Sequence, residues 1–517
     1  MQSNSLGRQL LPETSDQSKP SRLFSPGRAL VVCILIIAAL GFWSIRSSSG
    51  HRSTRLQGES LESLVGMNST SSLAAGEYSA RLNYGTSRLL IREPTICDSS
   101  VKQRSGYFVV NATKNRKYFF WFFESRRLPP AESPTTLWLS GGPGASSILG
   151  LLMENGPCRL LSDGITTEYN PYGWNEVSNM IWLDQPAGTG YSMGKHEHSL
   201  TGVRDDLYNF LQAFFHHFPE YNRNFHLAGE SFAGHYIPVI ADKILQENKR
   251  MDQGASSPPK QRIDFRGMAI GNGDTDNPHS APYMAEMAMV SGAVNRSTYQ
   301  QMLASVPSTT ELMLRCTEIL GKLKQPVSLF TAPETCLDAN LEYMMNFLAP
   351  VEATGRNIYD LRLNGTYNFS RYINFLNNAT IMKTLGAGKK WKPINYRVTL
   401  DLYFDDTYRI YNPEVERVLE AGVKVLIYAG DKDYLCNWLV NDAWTKRLQW
   451  SGAQQFVHKP LELYQAGTKE VVGEMRRTQN LAFVRVYNAG HLVPHDQPKN
   501  SLAIIEQFLS GNMFASA

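Results

Sequence analysis

Phe225 to Tyr236 read F-H-L-A-G-E-S-F-A-G-H-Y, and the fold turns on how this stretch is read. Phe225 to Ala228 is apolar, has strand length and stops at Gly229. Tyr236, Ile237, Ile240, Ala241, Ile244 and Leu245 then recur at helical spacing, so a helix begins almost at once. Ser231 sits between strand and helix, with Gly229 before it and Ala233-Gly234 after it. Small residues there let the backbone turn sharply and lift one hydroxyl above the sheet edge, which is the nucleophile-elbow pattern. The motif is G-x-S-x-A-G rather than G-x-S-x-G, and G-x-S also occurs in plain turns, so the flanking chain must carry the assignment.

Outward from the elbow, strand signals alternate with helical ones, the βαβ rhythm of a mostly parallel sheet. Ser105 to Val110 and Lys117 to Glu124 read as an antiparallel lead-in pair. Thr135 to Leu139 reads as a buried strand running into S-G-G-P-G, and Met180 to Leu183 as another running into D-Q-P-A-G-T-G-Y-S. Leu207, Phe210, Leu211, Phe214, Phe215 and Phe218 form a helical stripe from about Gly202 that reads as core packing. Met268 to Ile270 runs into G-N-G. From about 274 to 397 the rhythm breaks, which predicts an inserted, mainly helical cap. The sheet resumes at Val423 to Tyr428, before A-G-D-K-D, and at Phe483 to Tyr487, before N-A-G-H, with a closing helix over Ser501 to Leu509.

Ligand chemistry in parallel sheets gathers at the carboxyl ends of the strands. Those ends carry a serine, an acid and a histidine in the order Ser231, Asp433, His491, which is the α/β-hydrolase order. A hydroxyl is barely ionised at working pH and needs a base, for which His491 is the candidate. Asp433 would fix the imidazole tautomer, and it is preferred to Asp431 because it lies further from its strand and can bend back. Oxyanion donors are expected from the N–H of Phe232 and from the Ser140-Gly141-Gly142 turn.

The chain has 517 residues and a formal charge of +4 with no basic block, so no nucleic-acid footprint stands out. Among Cys33, Cys97, Cys158, Cys316, Cys336 and Cys436 there is no C-x-x-C and no histidine at zinc-finger spacing, so neither a metal nor another cofactor is implied. N-x-[ST] sequons at Asn68, Asn111, Asn295, Asn364, Asn368 and Asn378 point to the secretory pathway, most of all the three crowded from Asn364 to Thr380. Residues 1–28 read as a disordered tail and residues 46–90 as a stalk or propeptide, with the folded body spanning 91–517. Residues 29–45 read as a signal peptide or a type II signal anchor. The anchor is favoured because Gly41 to Ile45 (G-F-W-S-I) makes a poor cleavage site. It would hold the protein at a membrane with a lumenal or extracellular body; cleavage would leave it secreted or vacuolar.

The stretches T-L-W-L-S-G-G-P-G-A-S-S, N-P-Y-G-W-N-E-V-S-N-M-I-W-L-D-Q-P-A-G-T-G-Y-S, G-E-S-F-A-G-H-Y-I-P, A-I-G-N-G, Y-A-G-D-K-D-Y-L-C-N-W and N-A-G-H-L-V-P together resemble the serine carboxypeptidase family. M-E-N-G-P-C at Met153 to Cys158 is closest to its secreted fungal branch, and the likeness runs from about Arg92 to the C-terminus. The resemblance implies an exopeptidase that releases one residue from a free peptide or protein C-terminus at acidic pH, through an acyl-enzyme. It implies Ser231, Asp433 and His491 as the triad and Gly142 and Phe232 as oxyanion donors. The positions matching its carboxylate-binding residues are Ser140, Gly141 and Glu230, supported by Trp138 and Glu154. It also implies a free thiol at Cys436 that lines the substrate cleft with Leu492. Four lumenal cysteines remain, for which Cys316–Cys336 within the cap and Cys97–Cys158 at its base are the expected pairs. An esterase or acyltransferase with the same triad, and an inactive binding scaffold, are the rival readings; oligomeric state is not legible.

Two positions depart from the family pattern. Ala145 replaces a cysteine that many relatives tether to the cap. Ser140 replaces an Asn, exchanging an amide donor for a shorter hydroxyl. A hydrogen bond to a charged group contributes about 1.5–3 kcal/mol. Ser140→Asn is therefore expected to lower KM for free-carboxylate peptides about tenfold, and steady-state kinetics showing an unchanged KM would refute it.

Overall fold

A computed structural model describes residues 91–254 and 260–515. Eleven strands form one sheet. In chain order they are β1 (Ile91–Arg92), β2 (Gln103–Asn111), β3 (Arg116–Phe123), β4 (Thr135–Leu139), β5 (Asn179–Leu183) and β6 (Phe225–Ser231), followed by β7 (Phe265–Gly273), β8 (Lys424–Gly430), β9 (Glu462–Tyr464), β10 (Gly473–Arg477) and β11 (Leu481–Val486). Their spatial order is β1-β2-β3-β5-β4-β6-β7-β8-β11-β10-β9. The six central strands, β5 to β11 in that order, run parallel. The flanking strands are antiparallel to their neighbours.

Successive strand residues point to opposite faces, and here both faces are apolar, as a sheet covered on two sides requires. Leu137, Leu227, Ile270 and Ile427 enter one core, which packs on α1 (Leu200–His217) and α2 (Ala233–Asp252). Trp138, Ala228, Ala269 and Tyr428 enter the other, beneath the C-terminal helix Pro498–Ser510. The aromatic stripe of α1 is core: Phe210 and Phe214 meet Phe108 and Phe120 of β2 and β3 edge-on, with centroids 5.6–6.2 Å apart. Ser199 starts this helix by accepting a hydrogen bond from the Gly202 amide.

The parallel run is what positions the site. It brings the carboxyl ends of β4, β6, β7, β8 and β11 to one edge, so loops far apart in sequence become neighbours. Over that edge lies the cap, mainly helical, with α3 (Ala281–Val290), α4 (Arg296–Lys322), α5 (Glu334–Tyr343) and α6 (Tyr396–Asp406), plus a hairpin of Arg356–Asn357 with Asp360–Asn364. Helix α6 spans residue 397. Strand β7 is longer than its apolar kernel Met268 to Ile270, because glycines at 267, 271 and 273 interrupt the apolar pattern without interrupting the ladder. Strand β9 is the sheet edge and β10, rich in charge, lies next to it; alternation gave neither a signal.

Disulfides join Cys97 to Cys158 and Cys316 to Cys336, and Cys436 is a buried free thiol. The side chains of Asn295 and Asn378 cap helices, while Asn364 and Asn368 are exposed and Asn111 is half-buried. No helix among the described residues is long and apolar enough to cross a membrane. Residues 29–45 and Asn68 lie outside the described residues.

Candidate active site

Ser231 ends β6 and adopts φ +63°, a left-handed conformation that costs a non-glycine residue about 1–3 kcal/mol. The turn is held from both sides. The Asp274 amide donates to the Ser231 carbonyl at 3.0 Å, and Phe232 begins the turn into α2. Gly229 cannot be larger: a Cβ there would lie 2.1 Å from the Leu139 carbonyl oxygen and 2.9 Å from the Ala233 Cβ. Sheet and helix therefore approach closely enough to aim one serine off the strand end.

His491 follows β11, and its Nδ1 lies 2.7 Å from Asp433 Oδ2, with both side chains buried. That contact leaves Nε2 as the ring's remaining nitrogen. Asp433 is held by further donors: the Leu435 amide at 3.0 Å, the Cys436 amide at 3.2 Å and the Asn272 side-chain amide at 2.8 Å. Asn272, at φ +38° near the end of β7, also accepts the Gly430 amide at 3.0 Å, locking the start of the Asp433 loop. Asp431 is occupied elsewhere, accepting from the Asn488 amide and pairing with Lys432. The cap fixes the other side: the His491 amide donates to the Tyr359 carbonyl at 2.7 Å, and the two rings meet edge-on. Asn272 and Tyr359 escaped sequence reasoning. G-N-G at a strand end was the only trace of the first, and the second lies in the cap, where no periodicity points to a site.

The Ser140–Gly142 turn packs directly against the elbow. A Cβ on Gly141 would fall 2.4 Å from the Phe232 nitrogen and 2.8 Å from the Ser231 Cβ, so only glycine leaves that amide open. The indole N–H of Trp138 donates to Ser140 Oγ at 3.1 Å, which frees the serine's own proton for another acceptor. Although Ala145 has no disulfide, its turn is strapped to the cap by backbone: Ala145 bridges Ile394, the Ser146 amide donates to Pro393, and the Asn395 amide to Gly144.

Ser140, Gly141, Gly142, Glu154, Glu230, Ser231, Phe232, Cys436, His491 and Leu492 line one cavity, and Trp138 is buried behind Ser140. Glu154 and Glu230 are buried and hydrogen-bonded to one another. Burial pushes the Glu154 carboxyl up to about 8. Burial, then the neighbouring Glu154 charge, drives Glu230 well above the ordinary carboxylate range. The Oε2 atom of each is buried without a partner. The arrangement offers a hydroxyl, an imidazole–carboxylate pair, amide donors and a neutral carboxyl pair around one space.

A parallel sheet with a serine elbow and a buried Asp–His pair at its carboxyl edge defines a hydrolase of the α/β-hydrolase fold. More narrowly, the chain belongs to the serine carboxypeptidase family, whose model matches residues 94–511, and it is a serine carboxypeptidase. Carboxypeptidase Y of Candida albicans is 37% identical over 427 residues, covering 80% of this chain and 74% of that protein. Carboxypeptidase Y of Komagataella phaffii is 36% identical over 421 residues, covering 80% and 76%. Kex1(delta)p, a prohormone-processing carboxypeptidase from Saccharomyces cerevisiae, shares the fold with a TM-score of 0.66 at 24% identity, covering 81% of this chain and 94% of that one.

Asn272→Ala removes one charge-assisted donor from Asp433 and loosens the loop that carries it. Its expected effect is a fall in kcat of about tenfold with KM nearly constant, measured on a blocked dipeptide. An unchanged kcat would show that the remaining donors suffice.

Proposed function

We propose that Ser231, His491 and Asp433 perform acyl transfer at the C-terminal peptide bond. His491 takes the Ser231 proton as the oxygen attacks the scissile carbonyl, and Asp433 stabilises the imidazolium. The amides of Gly142 and Phe232 receive the oxyanion. Collapse expels the terminal amino acid, whose nitrogen receives the proton from His491, and leaves an acyl-serine. Water deprotonated by the same imidazole then releases the shortened peptide and restores Ser231.

The observation that carries this reading is the buried Glu154–Glu230 pair beside the elbow serine. A substrate carboxylate is ionised throughout the working range, so it can sit against these groups only while they keep a proton, since like charges at hydrogen-bond distance cannot all ionise. Ser140 Oγ–H and the Gly141 backbone add donors on the same side. The first 90 residues complete the reading: a tail over 1–28, a type II signal anchor over 29–45 and a stalk over 46–90 present a glycosylated body, sequons included, in the secretory pathway. The protein is then expected in the membrane pellet after an alkaline carbonate wash; complete release into the supernatant would mean that the apolar segment is cleaved.

The sign of the pH dependence follows from the direction of the carboxyl shifts. Both pKa values are raised, so both carboxyls keep their protons at acidic and neutral pH, and the pair loses its first proton, from Glu154, as pH climbs through about 8. KM for a free-carboxylate peptide should be flat in acid and rise about tenfold per pH unit above that point, ahead of any fall in kcat. Glu154→Gln should flatten the rise. Equal KM values at about pH 6 and about pH 9 would remove the carboxyl pair from substrate binding.

A further inference from the structure

The sheet order places two different surfaces on opposite flanks of Ser231. Strand β4 pairs with β6 on one side and delivers Ser140, beside the Glu154–Glu230 pair. Strand β7 pairs with β6 on the other side, with Gly273 opposite Ser231 and Asp274 next in the chain. A peptide whose terminal carboxylate lies on the first flank must carry its penultimate residue, across the scissile bond, toward the second.

On that second flank the cavity runs under the cap and is lined by Asp274 together with Tyr343, Tyr403, Thr407, Leu435 and Val440, of which Tyr343 and Tyr403 lie close enough to feel its charge. Aromatic and aliphatic walls suit a long methylene stem. No lysine or arginine lines the cavity among the described residues. Asp274 is 23% exposed, so an incoming group can reach its carboxylate.

Its ion-pair neighbour among the described residues is His235, with Nε2 at 3.8 Å. His235 does not cancel it. The imidazole is fully buried, and its Nδ1 lies 2.7 Å from Oδ2 of Asp406, whose Oδ1 accepts the Tyr411 hydroxyl at 2.5 Å. Burial lowers the His235 pKa, but the Asp406 and Asp274 carboxylates outweigh it and lift it to about 9. Two carboxylates thus share one imidazolium, and a net negative charge remains on the accessible member. An anion among aromatic and aliphatic walls attracts a cation more strongly than it would in bulk water.

We propose that Asp274 selects substrates with lysine or arginine at the penultimate position, receiving the side-chain cation in the pocket beneath the cap. This rests on the carboxypeptidase site assigned above. A purely structural Asp274, present only to hold His235, would affect all substrates alike.

The test compares two blocked dipeptides with the same C-terminal residue, one with penultimate lysine and one with norleucine, an uncharged side chain of similar reach. The wild-type kcat/KM should favour lysine at least tenfold. Asp274→Asn should collapse that ratio at least tenfold, Asp274→Glu should retain it, and Asp274→Lys should invert preference toward a penultimate glutamate. Thermal melts identify any variant that fails to fold. The wild-type ratio, and its decline as salt screens the pair, test the idea without any variant. Equal rates on both peptides, or a ratio untouched in folded Asp274→Asn, would overturn the inference alone. Failure to trim either peptide would instead overturn the site assignment beneath it.

Discussion

Ser231 is held where a serine does not rest by itself. Its left-handed backbone is imposed by a strand hydrogen-bonded on both sides and by a helix that begins immediately, with Gly229 pressed against the Leu139 carbonyl. Neither neighbour can relax without opening the sheet, so the local cost of about 1–3 kcal/mol is borne by a large cooperative core. Every other group in the site is placed relative to that fixed hydroxyl. Asp433 and His491 come from β8 and β11, which lie beyond β7 on the same parallel edge.

Parallel topology also explains why so much was legible in the sequence. An apolar run followed by a small-residue turn marks both a buried strand and its carboxyl end, so S-G-G-P-G, G-E-S-F-A-G, G-D-K-D and N-A-G-H announced loops that share one edge. What stayed hidden depends on contacts between distant loops. Asn272 looks like the middle of a glycine turn, and only the folded sheet shows its amide reaching Asp433. Glu154 carries no local signal at all; its place came from family resemblance, and its burial against Glu230 is a tertiary fact. The edge strand β9 and its charged neighbour β10 were invisible for the opposite reason, because short, partly solvated strands at the margin of a sheet have no need of alternation.

The cap does more than cover the cleft. Its hairpin ties the acid and base loops together: the Leu361 amide donates to Lys432, the Tyr434 amide donates to Ile358, and Tyr359 receives the His491 amide. The return segment straps the Ser140–Ala145 turn through Pro393, Ile394 and Asn395. At Ala145, where the family resemblance leads to the expectation of a cysteine, this chain pairs its backbone with the cap. Loop ordering by several short hydrogen bonds acts on the folded state, whereas a cross-link acts chiefly on the unfolded one. The turn can thus be held in the native protein without a third disulfide.

Two charge systems flank Ser231 and are set differently by their surroundings. Glu154 and Glu230 face one another with no cation among the groups acting on them, so burial and mutual repulsion keep a proton on the pair. Asp406 and Asp274 instead enclose His235, which retains a proton that burial would otherwise remove. The first arrangement is neutral when protonated, as the proposed anion site requires; the second keeps surplus negative charge at its exposed end, as the proposed cation site requires. His235 also stacks on Phe232 with centroids 4.2 Å apart, so this second system braces the residue proposed as an oxyanion donor. A substrate running from a cationic side chain to a free carboxylate would match this polarity, with its scissile bond held over Ser231 between two opposite electrostatic demands.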